Sequence, residues 1–294
     1  MMLDYHIGSL DESSRRLLSE GEPTAEPTSP RPVFLDSRVW HKSILHSKKT
    51  VSWDTRIFTF QLDHATQTLG LPTGQHLMIR LRDPATRESI IRSYTPISET
   101  SQPGFCDVLV KLYLDSHERA GGRMTKALDA LPPGHFVEMK GPIGKFEYLA
   151  RGTCRVNGRP RRVSRFVMVC GGSGITPIFQ VLRAVMQDKG DPTRCVVLDG
   201  NRQVEDILCR EALDAFAREN PEKCTLLYTL TQAPEEWAGL RGRIGMELLR
   251  EHCRRDEEGE GESLVLICGP EALEKAVHRG LNELGWPDED LLFF

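Results

Sequence analysis

At 294 residues the chain is long enough for two domains with cores of their own, and its 39% hydrophobic and 27% charged residues are those of an ordinary soluble globular protein. A net charge of −4 argues against a nucleic-acid partner, which calls for a basic face. No apolar run approaches membrane-spanning length and the start MMLDYHIG is neither a signal peptide nor a myristoylation site, so the expectation is a cytoplasmic protein without a membrane partner. The eight cysteines form no CxxC, zinc or iron–sulfur spacing and read as reduced thiols.

Residues 1–32 do not read as the start of a domain. A short polar helix candidate leads into EGEPTAEPTSPRP (Glu20–Pro32), a Pro/Glu/Thr-rich linker that cannot bury a core. His6 has no second metal or haem ligand near it and reads as a solvated or locally packed histidine. Residues 33–148 alternate strand and turn signals, with strands at Ile57–Leu62, His76–Leu81 and Asp107–Tyr113 spaced as in an antiparallel barrel. One short helix is expected at Met124–Ala130, entered through Gly121-Gly122. Residues 149–164 (RGTCRVNGRPRRVS at 151–164) are basic, contain Asn-Gly and show no apolar face, which suits a surface hairpin connecting two domains.

From residue 165 the pattern becomes strand and helix in alternation. Buried-strand runs at Cys195–Leu198, Cys224–Leu230 and Ser263–Cys268 alternate with helical segments at Asp206–Arg218, Met246–Cys253 and Glu271–Leu284. Right-handed crossovers then give a parallel, Rossmann-like sheet with helices on both faces. Phe166–Met186 is its organising stretch: a buried strand, the turn Gly171-Gly172-Ser173-Gly174, then Thr176 and Pro177 as N-cap and first helical residue. Such a turn before a helix N-terminus suits an anionic, nucleotide-like ligand, although Pro177 stands where GxGxxG would have its third glycine. Gly171–Gly174 and Cys268-Gly269-Pro270 both lie at carboxyl ends of strands and can face one ligand.

Three separated motifs combine: Arg92-Ser93-Tyr94-Thr95-Pro96-Ile97-Ser98, Gly171–Pro177 and Cys268-Gly269-Pro270. In that order they resemble the ferredoxin-reductase-type flavoproteins, in the cytochrome b5 reductase branch, over residues 33–294. Within that branch WDTRIFTFQLDH, TGQHLMIRLRDP, KGPIGKFEYL and DEDLLFF are similar to the carboxyl-terminal flavin part of fungal assimilatory nitrate reductases, and DYHIGSLDE to the end of their haem domain. A free-standing soluble NADH-cytochrome b5 reductase is the alternative, although such proteins usually carry a membrane anchor or lipidation signal.

The resemblance implies a Greek-key FAD-binding barrel (33–148), a connection (149–164) and an NAD(P)H-binding domain (165–294), after a haem-domain remnant (1–32). It implies FAD and NADPH or NADH as cofactors, with haem and molybdopterin only in absent domains, and a haem-domain or cytochrome b5-type electron acceptor as partner. Arg92, with its planar cationic fork, would hold the flavin pyrophosphate beside Ser93, while Tyr94 packs on the ring and Thr95 bonds its edge. Gly122, Arg123, Met124 and Thr125 would make a second phosphate contact through helix-start N–H groups. Val110, Lys111 and Tyr113 would line the flavin, Lys111 also reaching the nucleotide. Gly171, Gly172 and Gly174 would pass the nucleotide close to backbone, with Thr176 reaching toward the flavin. Cys268, followed by Gly269 and Pro270, would align the nicotinamide for hydride transfer, with Phe294 nearby; Cys268, Thr95 and Lys111 are the catalytic candidates. Arg202 suits a 2′-phosphate and favours NADPH, whereas Asp206 matches a position associated with NADH. No acid–base pair or nucleophile triad is required, and oligomeric state is not legible.

Overall fold

The computed structural model describes residues 33–83, 86–115, 120–255 and 262–294; the expectations for residues 1–32, including His6 and the linker, lie outside the described residues. Period-two burial builds the first half. Strands β1 (His41–Ser52), β2 (Thr55–Gln61), β3 (His76–Arg82), β4 (Ser89–Tyr94), β5 (Phe105–Lys111) and β6 (Phe136–Ile143) form one antiparallel sheet in the order β4-β3-β6-β1-β2-β5. Alternate residues converge on a single core: Leu45 of β1, Phe58 and Phe60 of β2, Leu77 and Ile79 of β3, Val108 and Val110 of β5, Val137 and Met139 of β6. One core shared by six strands requires the sheet to curl into a barrel. Helix α1 (Arg123–Ala130) adds Met124, Ala127 and Leu128 to that core.

The basic stretch after the barrel differs from expectation. Strands β7 (Phe146–Ala150), β8 (Thr153–Val156) and β9 (Arg159–Arg162) form a small antiparallel sheet, turned at Asn157-Gly158 with φ of 51° and 76°. It does have an apolar face: Cys154 and Val156 are buried with Phe146 and Tyr148 against Phe166. Within residues 149–164 only Cys154, Val156 and Val163 carry that face, scattered among arginines and turn residues and too few to show as a pattern.

The second half is a six-stranded, all-parallel sheet in the order β13-β12-β11-β10-β14-β15. Its elements in chain order are β10 (Arg165–Gly171), α2 (Ile175–Gln187), β11 (Arg194–Asn201), α3 (Arg210–Glu219), β12 (Cys224–Leu230) and β13 (Leu240–Arg241). α4 (Met246–His252), β14 (Ser263–Cys268), α5 (Glu271–Glu283) and β15 (Leu291–Phe293) follow. Phe166, Met168 and Cys170 of β10 pack with α2 and α3, while Val167 and Val169 pack with α4 and α5, so both faces are covered. The chain leaves β10 outward to β13 and returns to β14 on the other side. That reversal opens a crevice at the carboxyl ends of β10 and β14.

Two expected helix starts shift. A single 3₁₀ turn over Gly172–Gly174 runs straight into α2, so Gly174 is the N-cap and Thr176 and Pro177 lie inside the first turn. Pro177 is tolerated there because first-turn N–H groups have no intrahelical acceptor. The segment read as one helix from Asp206 is a 3₁₀ turn (Val204–Asp206), then Cys209 in the left-handed region at φ 56°, then α3.

Candidate functional site

The carboxyl ends of β10, β11 and β14 face β4, β5 and the start of α1 across a cavity of about 930 Å³. The barrel contributes Arg92, Ser93, Tyr94, Thr95, Val110, Lys111, Tyr113, Gly122, Arg123, Met124 and Thr125 to its wall. The parallel-sheet half contributes Gly171, Gly172, Gly174, Thr176, Arg202, Asp206, Cys268, Gly269, Pro270 and Phe294. The candidate cofactor-binding and catalytic residues thus meet at one place, carried there by strand ends, by the starts of α1 and α2 and by the loops beside them.

Their roles in the wall differ. The Arg92 side chain is exposed and Nη1 donates to the Ile91 carbonyl at 2.7 Å; among the described residues it has no carboxylate partner. Tyr94 is half-buried beside it, and burial pushes its phenol far above the usual range, so it stays neutral. Val110 and Met124 send their side chains into the barrel core, which leaves backbone to the cavity. The Arg123 side chain is committed elsewhere: Nε donates to Asp83 at 2.7 Å and Nη2 to Glu88 at 2.8 Å and Thr86 at 2.9 Å. The Thr125 hydroxyl accepts from Tyr113 N at 3.2 Å and donates to the Gly122 carbonyl at 3.1 Å. What α1 offers an anion is its first-turn N–H groups, with no side-chain cap and no acidic residue in that turn.

Lys111 is not a free cation. Its Nζ lies 3.0 Å from Asp54 Oδ2 and 2.9 Å from Asp206 Oδ1, joining β5 to the segment after β11. Burial opposes the ammonium charge, the two carboxylates more than offset it, and Lys111 titrates above its ordinary value.

The nucleotide side is built for close approach. A Cβ on Gly174 would stand 2.2 Å from the Cys268 carbonyl oxygen, so glycine lets the turn pass under the end of β14. Gly172, at φ 55°, has nothing within 4 Å of where its Cβ would be and leaves that side of the turn open. The Thr176 hydroxyl donates to the Ser173 carbonyl at 3.2 Å. Cys268 is in register with Cys170 on β10, which is in register with Asp199 on β11. Burial, then Glu274, pushes the Cys268 thiol up to about 12, so it is a neutral thiol and not a nucleophile. Phe294 N donates to the Ile267 carbonyl at 3.1 Å and its ring meets Phe146 edge-on at 6.1 Å, fixing the end of the chain at the cavity.

Among the described residues, two buried polar atoms of the wall have no hydrogen-bond partner: Asn201 Oδ1 and Asp206 Oδ2. Together with the open glycine turn and the uncapped N–H groups of α1, they fit a polar, phosphate-bearing ligand. Asn201 and its support Asp199, whose Oδ2 accepts from Asn201 Nδ2 at 2.8 Å, were not nominated from sequence, although they stand beside Arg202 at a strand end. Arg243 and Thr231 also line the cavity and escaped notice, because β13 is two residues long and has no periodicity to read. Among the described residues no cluster could hold a metal ion and no helix is long and apolar enough to cross a membrane.

Comparison with known proteins follows the same division. Residues 42–148 match the oxidoreductase FAD-binding domain and residues 168–279 the oxidoreductase NAD-binding domain. The cytochrome b5 reductase domain of Ulva prolifera nitrate reductase superposes with a TM-score of 0.83 at 32% identity, over 89% of this chain and 100% of that one. The chain belongs to the family of nitrate reductase cytochrome b5 reductase domains. Other members of the family are close in sequence: the NADPH nitrate reductase of Leptosphaeria maculans is 63% identical over 297 residues, and that of Aspergillus niger 56% over 294. Each match takes in 100% of this chain and 33% of the relative, so the chain spans about a third of the length of the curated relatives it matches. In a reductase domain of this family the barrel is the FAD-binding half and the parallel sheet the NAD-binding half, and the cavity lies where they meet.

Proposed function

We propose that the chain is the reductase end of an NADPH nitrate reductase, taking reducing equivalents from the nucleotide and handing them to a haem-bearing acceptor in nitrate assimilation. Residues 33–148 would hold FAD, residues 165–294 the nucleotide, and 149–164 would connect them. The carrying observation is the single cavity shared by Arg92–Thr95, the start of α1, the glycine turn and Cys268.

A bound flavin supplies there a group that takes a hydride from the nucleotide and releases its electrons one at a time. The protein's own residues bind and orient. Arg92 offers a free guanidinium fork to a pyrophosphate, and the first-turn N–H groups of α1 offer a second anion contact. Tyr94 and Thr95 present a neutral ring and a buried hydroxyl to the flavin. The open side of Gly172 admits the nucleotide, with Cys268 and Phe294 beside it. Cys268, uncharged and half-buried, packs a reacting ring without competing as a nucleophile. None of these steps needs a general base.

The test is anaerobic addition of NADPH to the purified protein. A yellow protein with one FAD per chain that bleaches on mixing and then reduces ferricyanide or an added cytochrome, with nitrate left untouched, supports the reading. A colourless protein, or one whose flavin NADPH does not reduce, removes it. A free-standing cytochrome b5 reductase would bleach faster with NADH than with NADPH, and that comparison separates the two.

A further inference from the structure

β11 is an inner strand of the parallel sheet, with β10 on one side and β12 on the other, and it carries a carboxyl where an apolar residue is the rule. Asp199 is fully buried, in register with Cys170 on β10 and Tyr228 on β12, and does not itself line the cavity. An acid in such a place costs stability unless its oxygens are bonded. Oδ1 accepts from the Cys170 thiol at 3.4 Å and Oδ2 from Asn201 Nδ2 at 2.8 Å. A thiol is a weak donor that packs equally well as a small apolar group, so the partner that needs Asp199 is Asn201.

Asn201 ends β11 at the cavity wall and is 7% exposed. Its backbone is committed, the carbonyl accepting from Thr231 N at 3.1 Å. An amide side chain has a donor end and an acceptor end. With the donor end turned back to Asp199, the acceptor Oδ1 is buried and, among the described residues, has no hydrogen-bond partner. A phosphate oxygen, itself an acceptor, cannot satisfy it; a hydroxyl or an amide N–H can. We propose that Asp199 is a positioning residue for nucleotide binding: it holds the Asn201 amide so that Oδ1 meets the cavity and accepts a hydrogen bond from a hydroxyl or amide N–H of the nicotinamide nucleotide. The proposal rests on the reading that this cavity binds that nucleotide. Without the carboxyl the amide is free to turn, and a turned amide opposes donor to donor. Asp199 thus acts through Asn201 and touches nothing that reacts.

The experiment compares wild type with Asn201→Ala, Asp199→Leu, Asp199→Ala and Asp199→Asn, and with Asp199→Leu and Asp199→Ala each combined with Asn201→Ala. All are checked for full FAD content. Leucine fills the place of the acid and alanine leaves it open, so a folding defect in one does not stop the test. Stopped-flow bleaching at several NADPH concentrations gives Kd and the limiting rate separately. Asn201→Ala is expected to raise Kd by roughly threefold to tenfold, the loss of one neutral hydrogen bond, with the limiting rate changed less. Asp199→Leu and Asp199→Ala should raise Kd as well, and Asp199→Asn, which keeps an acceptor for Nδ2, should recover most of that loss. The combined variants should bind within about a factor of two of Asn201→Ala alone, since Asp199 has nothing left to position. Competition by 2′,5′-ADP locates the donor: weakened by Asn201→Ala as NADPH is, it places the donor on the adenosine half, and unchanged, on the nicotinamide half. Wild-type Kd in Asn201→Ala or in both variants lacking the acid, or losses that add in full in the combined variants, would sink the proposal and leave the reductase reading standing. If neither nucleotide reduces the wild-type flavin, that reading fails and the role of Asp199 falls with it.

Discussion

Arg183 of α2 reaches out of the parallel-sheet half and donates from Nη1 to the Ile97 carbonyl at 2.5 Å, while Nη2 reaches the Ser98 carbonyl at 2.5 Å. Both acceptors belong to the segment that continues from Arg92–Thr95, so one side chain ties the wall of the cavity on the barrel to the helix that starts at the glycine turn. Arg183 as a whole is only 9% exposed, and its guanidinium carbon lies 5.3 Å from the Phe179 ring centre. Gln180, one turn away, accepts from Gly74 N at 2.6 Å and adds a second tie.

The expected consequence of Arg183→Met is a loss of about 2–4 kcal/mol of stability, because two carbonyls lose a charged donor at a site that water reaches poorly. Hydride transfer should slow as well, since the two halves of the cavity lose their fixed register. Urea midpoints and stopped-flow reduction at saturating NADPH measure these separately. A variant as stable and as fast as wild type would show that Arg183 is incidental to both.

Most of this architecture is legible in the sequence because its signals are local. The buried runs of β10, β12 and β14 and the helical period of α2 and α5 need no tertiary knowledge. β1 is the counter-example: HKSILHSKKTVS has neither alternation nor an apolar run, and only Ser43 and Leu45 of it are buried. It is a strand because β2 and β6 pair with it along both edges, a fact that exists only in three dimensions. The site divides in the same way. The glycine turn, Arg92–Thr95 and Cys268 stand in contiguous motifs and could be named from sequence. The ties of Arg123 to Asp83 and of Lys111 to Asp206 join residues far apart in the chain, so no local pattern shows that these two side chains are paired.

Arg92→Ala tests the barrel side of the site. Its fork is exposed and, among the described residues, meets only the neighbouring Ile91 carbonyl, so truncation should leave the fold intact and cost on the order of 1.5–3 kcal/mol of FAD binding. Equilibrium dialysis against FAD gives the number. Wild-type affinity in the variant would move the pyrophosphate contact elsewhere, with the N-terminus of α1 the remaining place for it.

Cys268→Ser changes one atom at the end of β14. The native thiol is neutral and half-buried, so a serine should keep the packing and the flavin content. Hydride transfer should slow, with NADPH binding less affected. Rapid-mixing spectra at several NADPH concentrations separate the two constants. An unchanged limiting rate would reduce Cys268 to a packing residue.

Asp199 gives the pH dependence. It is fully buried on β11, with the Cys170 thiol donating to Oδ1 at 3.4 Å and Asn201 Nδ2 donating to Oδ2 at 2.8 Å. Tyr228 is its register neighbour on β12, and the partly buried Cys209 lies close enough to be affected by its charge. Burial pushes this carboxyl up to about 7, and the two hydrogen bonds only partly oppose it. In the unfolded chain an aspartate titrates near ~3.9. Between that value and about 7 the folded protein therefore holds a proton that the unfolded chain has lost. The contribution to stability is fully present below the unfolded value and is lost as the pH rises through the folded one. Asp199→Asn keeps an acceptor for Asn201 and cannot ionise, so its stability relative to wild type should rise from pH 4 to about pH 7 and level off toward pH 8, by on the order of a few kcal/mol in all. Urea denaturation of both proteins across that range, with FAD held in excess, is the measurement. A difference that does not change with pH would mean that Asp199 is already ionised at the bottom of the range, and that the Asn201 carboxamide, aided by the Cys170 thiol, is a stronger support for its charge than burial is a penalty.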